Sequence, residues 1–460
     1  MTKKIAIIIF GIVLWFLPHP PEISAEAWQL FAVFITTIFS VIIGAFNILV
    51  ASVLGMVIAV ITGTIEPKTA FSGFSNDIVL LIVVAFLIAK AVVKSGLGKR
   101  IALLMIRRFG STTLGLGYSV IATDMIIAPA FPSNTARSGL LFPIIYAISI
   151  VNGSDPEKGT EKKLGSFLMF TSMFGIGLSS AMWLTAMAAN PAGVVIAENY
   201  GVHIGFGTWI LASSIPSIIA AIIIPWVPYK IYPPEIKNTP DAPIHAQKEL
   251  KKMGSMSRDE IITAIIFILL VIFWALSDTL NINKTIIAFM GFGLLLATNV
   301  FKVKDVKKEG EALTTMIWFA ILYIMSSQLN ELKFMDYVGA VMAEQIEFLP
   351  KRIAFVLLVF VYIALHYLFV SQTAHMLALL GVFLGAAVSL GIDPAPLALM
   401  LLFATNYFSV ITPQGSSCNI LYISSGFITP NEVYKYGGIL VFLSFVIYMV
   451  FGLPWISLVI

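Results

Sequence analysis

The sequence predicts an all-α polytopic membrane protein with about eleven transmembrane helices and two re-entrant hairpins arranged as an inverted repeat. Three observations predict it: a charge-poor composition, apolar runs of spanning length, and a motif that recurs 238 residues later. Of 460 residues, 59% are apolar and 11% charged, and the mean hydropathy is +0.96. A soluble domain carries about 25% charged residues, so a soluble enzyme or nucleic-acid binder is excluded. The net charge of +4 is gathered in a few clusters, which in a membrane protein report orientation rather than an anionic partner. One cysteine, Cys418, excludes an intrachain disulfide and a cysteine-based metal site.

Apolar stretches of about 17 to 25 residues are long enough to cross a bilayer as helices. In chain order the candidates are residues 4–17, 28–44, 48–62, 78–94, 165–195, 206–225, 261–275, 285–300, 313–329, 396–426 and 436–459. Residues 1–27 form an N-terminal helix and loop. The Met-Thr-Lys-Lys start and Ser24-Ala25-Glu26-Ala27 also fit signal-peptide anatomy; the reading taken is a retained first helix. Residues 112–150 and 350–390 are apolar but interrupted midway by polar residues, and read as hairpins.

Lys and Arg are enriched on the cytoplasmic side. With the N-terminus inside, the clusters Lys99/Arg100/Arg107/Arg108, Lys158/Lys162/Lys163, Lys230 to Arg258 and Lys302/Lys304/Lys307/Lys308 all fall inside. Loops 19–27, 198–203 and 277–283 carry no Lys or Arg and fall outside, as does the C-terminus. Lys333, Lys351 and Arg352 dissent, offset by Glu331, Asp336, Glu344 and Glu347. The expected location is the plasma membrane of a bacterium.

Phe131-Pro132-Ser133-Asn134-Thr135-Ala136-Arg137 aligns with Phe369-Val370-Ser371-Gln372-Thr373-Ala374-His375 at the offset of 238. The same offset pairs the span at Ile48 with that near Thr285, and the stretch after Ser95 with that after Lys333. The repeats are residues 28–228 and 260–460, joined by a charged linker at 229–259. Each holds five spans and one hairpin, so an odd number of crossings turns the second copy over. That is the inverted topology of many secondary transporters, whose sites lie at broken helices near the midplane.

A Ser-Asn-Thr tip inside an apolar hairpin is backbone that has left its helix at membrane depth, tolerated only against protein or a watery cavity. The half-helix that follows presents N–H groups and a positive dipole end suited to an anion. Hydroxyls of Ser133, Thr135, Ser371 and Thr373 and amides of Asn134 and Gln372 supply neutral donors. Two such tips from opposite faces would clamp a dianion, one carboxylate each. The alternative is that Ser133 and Ser371 merely cap helices.

A second pair of breaks follows: Thr185 to Asn190, Pro191 and Gly193 in the first repeat, and Thr412, Pro413, Gln414 and Gly415 in the second, 227 residues on. Pro and Gly inside a span free carbonyls that line sites in such folds; a packing kink is the plainer reading. Arg137 and His375 follow their serines by one turn, and Lys90 lies inside a span. An ionised group at the bilayer centre costs about 2.5–3.5 kcal/mol on insertion scales and is usually paired or functional. For Arg137 two accounts stand: a structural pair with Asp124, or a counter-charge supplied by the substrate. His375 weighs less than Arg137, since an imidazole can be neutral, and Lys90 can snorkel.

At these residues the chain resembles the divalent anion:sodium symporter (DASS, or INDY-type) family, over nearly its whole length. The resemblance implies a homodimer, with an elevator-type transport domain carrying both hairpins and moving against a scaffold domain. It implies di- and tricarboxylate substrates such as malate, succinate, 2-oxoglutarate and citrate, with membrane lipid as surroundings. The sequence departs from the sodium-coupled branch, where both tips look like Ser-Asn-Thr. Here the second tip is Ser371-Gln372-Thr373 and a base follows each motif. The longer glutamine moves its amide by one C–C bond, ~1.5 Å, and a cation would repel sodium. The segment Phe86 to Arg100 and the tip Pro132 to Arg137 look like the exchanger branch of citrate/succinate antiporters and plastid 2-oxoglutarate/malate translocators. The expectation is therefore sodium-independent exchange in which fixed bases replace sodium; a sodium-coupled symporter is the alternative.

A channel would also use carbonyls or charged rings for selectivity, and saturable counterflow distinguishes it. An enzyme is not expected: there is no HExxH motif, the five histidines are scattered, and Asp124 and Asp278 are isolated. No cofactor, metal or nucleic-acid partner is expected.

Overall fold

The computed structural model describes residues 2–460, all but Met1. Among them there are only helices and connecting turns, with one isolated bridge between Thr112 and Asn238. In lipid every backbone polar group must be satisfied within its segment, so helices are the expected solution. The N-terminal helix α1 (Thr2–Phe16) precedes α2 (Ala25–Ile42), α3 (Ile48–Ile61), α4 (Asp77–Ser95) and α5 (Leu97–Phe109). The interrupted stretch is α6 (Thr113–Ile127) and α7 (Asn134–Val151), followed by α8 (Gly165–Met182), α9 (Ala189–Glu198) and α10 (Phe206–Ile231). The linker holds α11 (Asp241–Met253). The second repeat runs α12 (Arg258–Ala275), α13 (Lys284–Ala297), α14 (Gly310–Glu331), α15 (Phe334–Glu344), α16 (Lys351–Leu365), α17 (Gln372–Ser389), α18 (Pro394–Tyr407), α19 (Ser417–Ile423), α20 (Gly438–Ile447) and α21 (Leu453–Val459).

All eleven expected spans appear as helices, and both interrupted stretches appear as two helices with a non-helical tip. The repeat is visible in the caps, where side chains satisfy the orphan amides of a helix start. Ser24 opens α2 by accepting from the Ala27 amide, and Ser257 opens α12 by accepting from the Glu260 amide, both at 3.1 Å. Asn47 and Asn283 cap α3 and α13 in the same way. The turns into α5 and α15 each use a left-handed residue, Gly96 at φ 87° and Lys333 at φ 62°. Glycine takes that conformation freely and lysine does so only under constraint.

Among the unexpected helices, three are longer than two turns: α5, α11 and α15. Both α5 and α15 follow a span directly, and α11 lies within the linker, so no long apolar run announces them. The α11 sequence Asp-Ala-Pro-Ile-His-Ala-Gln-Lys-Glu-Leu-Lys-Lys-Met puts Ala242, Ala246 and Leu250 on one face at helical spacing. That face packs on Leu103 and Ile106 of α5, Leu116 of α6 and Phe167 of α8. The linker is thus a folded, half-buried element.

The chain packs into two compact units, each drawing on both repeats. One comprises residues 1–83, 191–204 and 309–401; the other comprises 84–190, 205–308 and 402–460. In the first, α14 packs on α2 and α3, and α15 lies against α17. Gly339 permits that approach, since a Cβ there would stand 2.6 Å from the Ala386 nitrogen. In the second unit α8 is buried along almost its whole length and carries α6, α7 and α10 around it. The Trp209 indole donates to the Ala181 carbonyl at 3.0 Å.

Outside the membrane spans, Arg100 joins α5 to the start of α12. Its Nε donates to Glu260 Oε1 at 2.6 Å and its Nη2 to Oε2 at 3.0 Å, with both side chains buried. Burial opposes ionisation of Glu260, but the Arg100 guanidinium and the Ser257 amide outweigh it and hold the carboxyl below its ordinary value. A depressed carboxylate adds stability that is present above its unfolded pKa and is lost as pH falls through the folded one. Stability measured in detergent should therefore fall on acidification in wild type. Glu260→Ala should unfold with about 3 kcal/mol less stability, because it strands a buried charge, and should lose that part of the acid dependence.

Candidate functional site

The first tip is built by a 3₁₀ turn, Ala128–Ala130, that ends α6 at Pro129. Proline cannot continue the hydrogen-bond ladder, and Phe131 to Ser133 run extended before α7 begins. Ser133 (φ −142°, ψ 120°) caps α7, its hydroxyl accepting from the Ala136 amide at 3.2 Å. The second tip repeats each step. A 3₁₀ turn, His366–Leu368, precedes it, and Ser371 (φ −148°, ψ 124°) caps α17 by accepting from the Ala374 amide at 3.3 Å. The serines therefore cap their helices. A capping oxygen accepts while its O–H stays able to donate, so capping and ligand contact are compatible.

The two bases have different surroundings. Arg137 is fully buried. Its Nη1 donates to Asp124 Oδ2 at 2.7 Å and Ser179 Oγ at 2.6 Å. Its Nη2 faces four oxygens: Asn134 Oδ1 at 2.8 Å, the Ile176 carbonyl at 3.2 Å, the Ala186 carbonyl at 3.5 Å, and Ser180 Oγ. The Ser180 hydroxyl also reaches Asn134 Oδ1 at 2.7 Å. Of the two accounts open in the sequence, the internal pair with Asp124 is the one formed. His375 instead lies among rings: Tyr362 at 4.4 Å, Phe369 at 4.8 Å and His366 at 5.2 Å between centroids. Lys90 is half-buried in α4. Its neighbour Lys94 pairs with Asp305 at 2.6 Å and donates to the Val300 carbonyl at 3.0 Å.

The two breaks share a device that the sequence comparison at offset 227 passed over. The Asn190 amide nitrogen donates to the carbonyls ten and seven residues before it, Ser180 at 3.0 Å and Trp183 at 3.2 Å. Asn419 does the same to Ser409 at 2.8 Å and Thr412 at 3.1 Å. Each side-chain amide thus fills the carbonyls that unwinding releases. Asn406 bridges the copies, donating to Asn190 Oδ1 at 2.8 Å. Only Asn190 was a candidate; Asn406 and Asn419 were missed, though buried Asn near a Pro or Gly break is a signal available in sequence.

The remaining candidates divide by exposure. Thr185 donates to the Pro129 carbonyl at 2.8 Å, tying the first break to the first tip. Thr135 is exposed at its tip and its hydroxyl lies 2.7 Å from that of Ser417 at the second break. Pro413 and Gln414 are half-buried, and Gln414 Oε1 accepts from the Tyr434 hydroxyl at 3.2 Å. Gln372 and Thr373 are buried. The buried Thr412 hydroxyl has no hydrogen-bond partner among the described residues, a state that buried polar groups rarely occupy without a reason. Chemically the tip and breaks of the second unit thus offer hydroxyls, amides and a helix start, and Arg137 beside them is already paired with Asp124.

The Asp124–Arg137 pair makes a sharp test. Asp124→Ala strands the guanidinium and should cost about 3–5 kcal/mol by thermal unfolding in detergent. Adding Arg137→Met should recover most of that loss, because no charge then remains buried.

Comparison with known proteins gives a consistent result. The family model described as "Sodium:sulfate symporter transmembrane region" matches residues 1–460. "Putative malate transporter YflS" of Bacillus subtilis (strain 168) is 38% identical over 447 residues, covering 97% of this chain and 94% of that protein. "Dicarboxylate transporter 2, chloroplastic" of Spinacia oleracea is 36% identical over 451 residues, covering 97% and 80%. "Inner membrane protein YbhI" of Escherichia coli (strain K12) is 32% identical over 472 residues, covering 100% and 98%. Among solved structures, the Alcanivorax borkumensis YdaH transporter aligns with a TM-score of 0.58 at 15% identity, covering 99% of this chain and 98% of that one, a likeness of fold alone.

Proposed function

The chain belongs to the sodium:sulfate symporter transmembrane family, the divalent anion:sodium symporter family its motifs resemble, and on that footing we propose that it exchanges di- and tricarboxylates across the plasma membrane of a bacterium without sodium. It is a membrane transporter of dicarboxylate-transporting kin rather than an enzyme. The observation that carries sodium-independent exchange is the nest around Arg137 Nη2. Four oxygens, two of them backbone carbonyls, face one nitrogen, and such an oxygen set suits a hard cation equally well. The guanidinium occupies it permanently. Asn190 and Asn419 take the other freed carbonyls. The transporter therefore carries its own donors where a coupled ion would enter.

Because Asp124 balances Arg137, the substrate is held by neutral groups and helix ends rather than by that cation. Ser133, Asn134 and Thr135 form a carboxylate-binding tip in one unit, and Ser371, Gln372 and Thr373 form a like tip in the other. Each tip is backed by the start of a helix worth roughly half a positive charge. Thr412, with Pro413 and Gln414, adds a donor at the second break. Arg137 fixes Asn134, and Thr185 and Asn190 fix the first break. His375 holds the second tip among its rings, and Lys90 supplies a further positive charge. An empty carrier leaves these donors unsatisfied, so the loaded form moves more readily and exchange results. The homodimer, the elevator-type motion, the cytoplasmic N-terminus and the external C-terminus belong to the same proposal. The family description itself favours a second reading, sodium-coupled symport.

Proteoliposomes separate the two readings. Labelled malate should enter rapidly only when the vesicles contain unlabelled dicarboxylate, and equally in sodium or choline buffer. Fast sodium-dependent uptake into empty vesicles would establish symport instead. Thr412→Val, which removes one hydroxyl and keeps the volume, should weaken malate exchange about tenfold, the worth of one hydrogen bond of about 1.4 kcal/mol. It should leave the melting temperature close to wild type.

A further inference from the structure

The first unit contains a second site, unrelated to the tips. Between α1, α2 and α3 lies an apolar groove of about 450 Å³. Its walls include Ile8 and Ile12 of α1, Thr36 of α2, and Leu54 and Ile58 of α3, and Phe46 of the α2–α3 turn closes one end. At its floor small residues bring the helices together. A Cβ on Gly11 would stand 3.1 Å from Thr36, and one on Gly55 would stand 2.4 Å from the Thr37 hydroxyl. The outer walls stay open, with Ile8 at 56% exposure and Ile58 at 48%. From Ile7 to Phe16, both lining residues, the groove runs about 14 Å at 1.5 Å per helical residue. That is the scale of an acyl chain in one leaflet.

The two mouths differ in charge. At the Phe46 end, Lys4 Nζ lies 5.1 Å from the Phe46 ring centroid, and Lys3 Nζ stands 3.9 Å from where a Cβ of Gly44 would be. The loop at the other end of α1 contains Glu22, the first turn of α2 adds Glu26, and neither holds Lys or Arg. We propose that this groove binds an anionic phospholipid, with an acyl chain between α1 and α3 and the phosphate between Lys3 and Lys4. This rests on the orientation proposed above, which puts the basic mouth on the cytoplasmic side, the leaflet that carries the anionic lipid. A second copy of the chain fits less well. A twofold axis along the membrane normal sets equal depths face to face, which brings Lys3 and Lys4 against their own copies.

Native mass spectrometry of the full-length protein, after incubation with dioleoyl-phosphatidylglycerol or dioleoyl-phosphatidylcholine, tests the site. The wild type should retain at least ten times more phosphatidylglycerol than phosphatidylcholine, and added salt should reduce that ratio. Lys3→Gln with Lys4→Gln should bring the ratio near one. Ile12→Trp, at an exposed wall position, should lower retention of both lipids severalfold. Equal retention by the wild type, or a preference that neither salt nor the lysine variant changes, would overturn the proposal. So would an Ile12→Trp protein that keeps its lipid while its dimer dissociates, since the groove would then belong to a second copy. The wild-type salt dependence stands even if a variant fails to fold.

Discussion

A buried guanidinium one turn into an apolar helix must be neutralised where it lies, and much of the second unit is arranged by that requirement. The cost of an unpaired charge inside a protein far exceeds that of an unpaired neutral group. Arg137 therefore needs a carboxylate, and Asp124 on the preceding arm supplies it at 2.7 Å. The remaining donors need acceptors, and Ser179, Ser180, Asn134 and the carbonyls of Ile176 and Ala186 supply those. In this way one charge fixes two arms of a hairpin, the end of α8 and the first break with respect to one another.

The breaks obey the same accounting without charge. Unwinding a helix in lipid frees carbonyls that water cannot reach. Asn190 and Asn419 answer this with the same pair of bonds, to residues ten and seven before each. An ion or a ligand can satisfy such carbonyls only while bound, whereas a side-chain amide does so at every stage. Breaks that are satisfied internally hold their shape without an ion or ligand. The two tips share backbone geometry to within a few degrees at Ser133 and Ser371. They differ in what surrounds the base that follows, ion pair in one and aromatic rings in the other. The repeat thus preserves the turn and lets its support diverge.

The spans, the tips and the repeat were legible because each leaves a local mark: apolar runs of spanning length, Ser-Asn-Thr against Ser-Gln-Thr, and proline or glycine inside a span. The capping role of Ser133 and Ser371 was also open to view, since the cap needs only the residue and the turn after it. Helices α5 and α15 were not seen because each follows a span after a single turn, and α11 because charged and polar residues dominate its composition. Asn419 was overlooked because Thr412 to Gly415 carried the motif, and Asn406 because the break after Tyr407 stands six residues ahead of Pro413.

The sequence by itself determined that this chain is an all-α membrane protein with many apolar helices of spanning length, and that a polar hairpin motif recurs 238 residues later. Those properties depend on composition and on spacing along the chain. Tertiary structure alone decided what Arg137 is for. Asp124 and the serines of α8 lie 13 to 43 residues from it, and only folding shows whether the nearest carboxylate reaches the guanidinium or leaves it open to a substrate. Electrostatic pairing falls off over a few ångströms, a distance that separation in sequence does not measure.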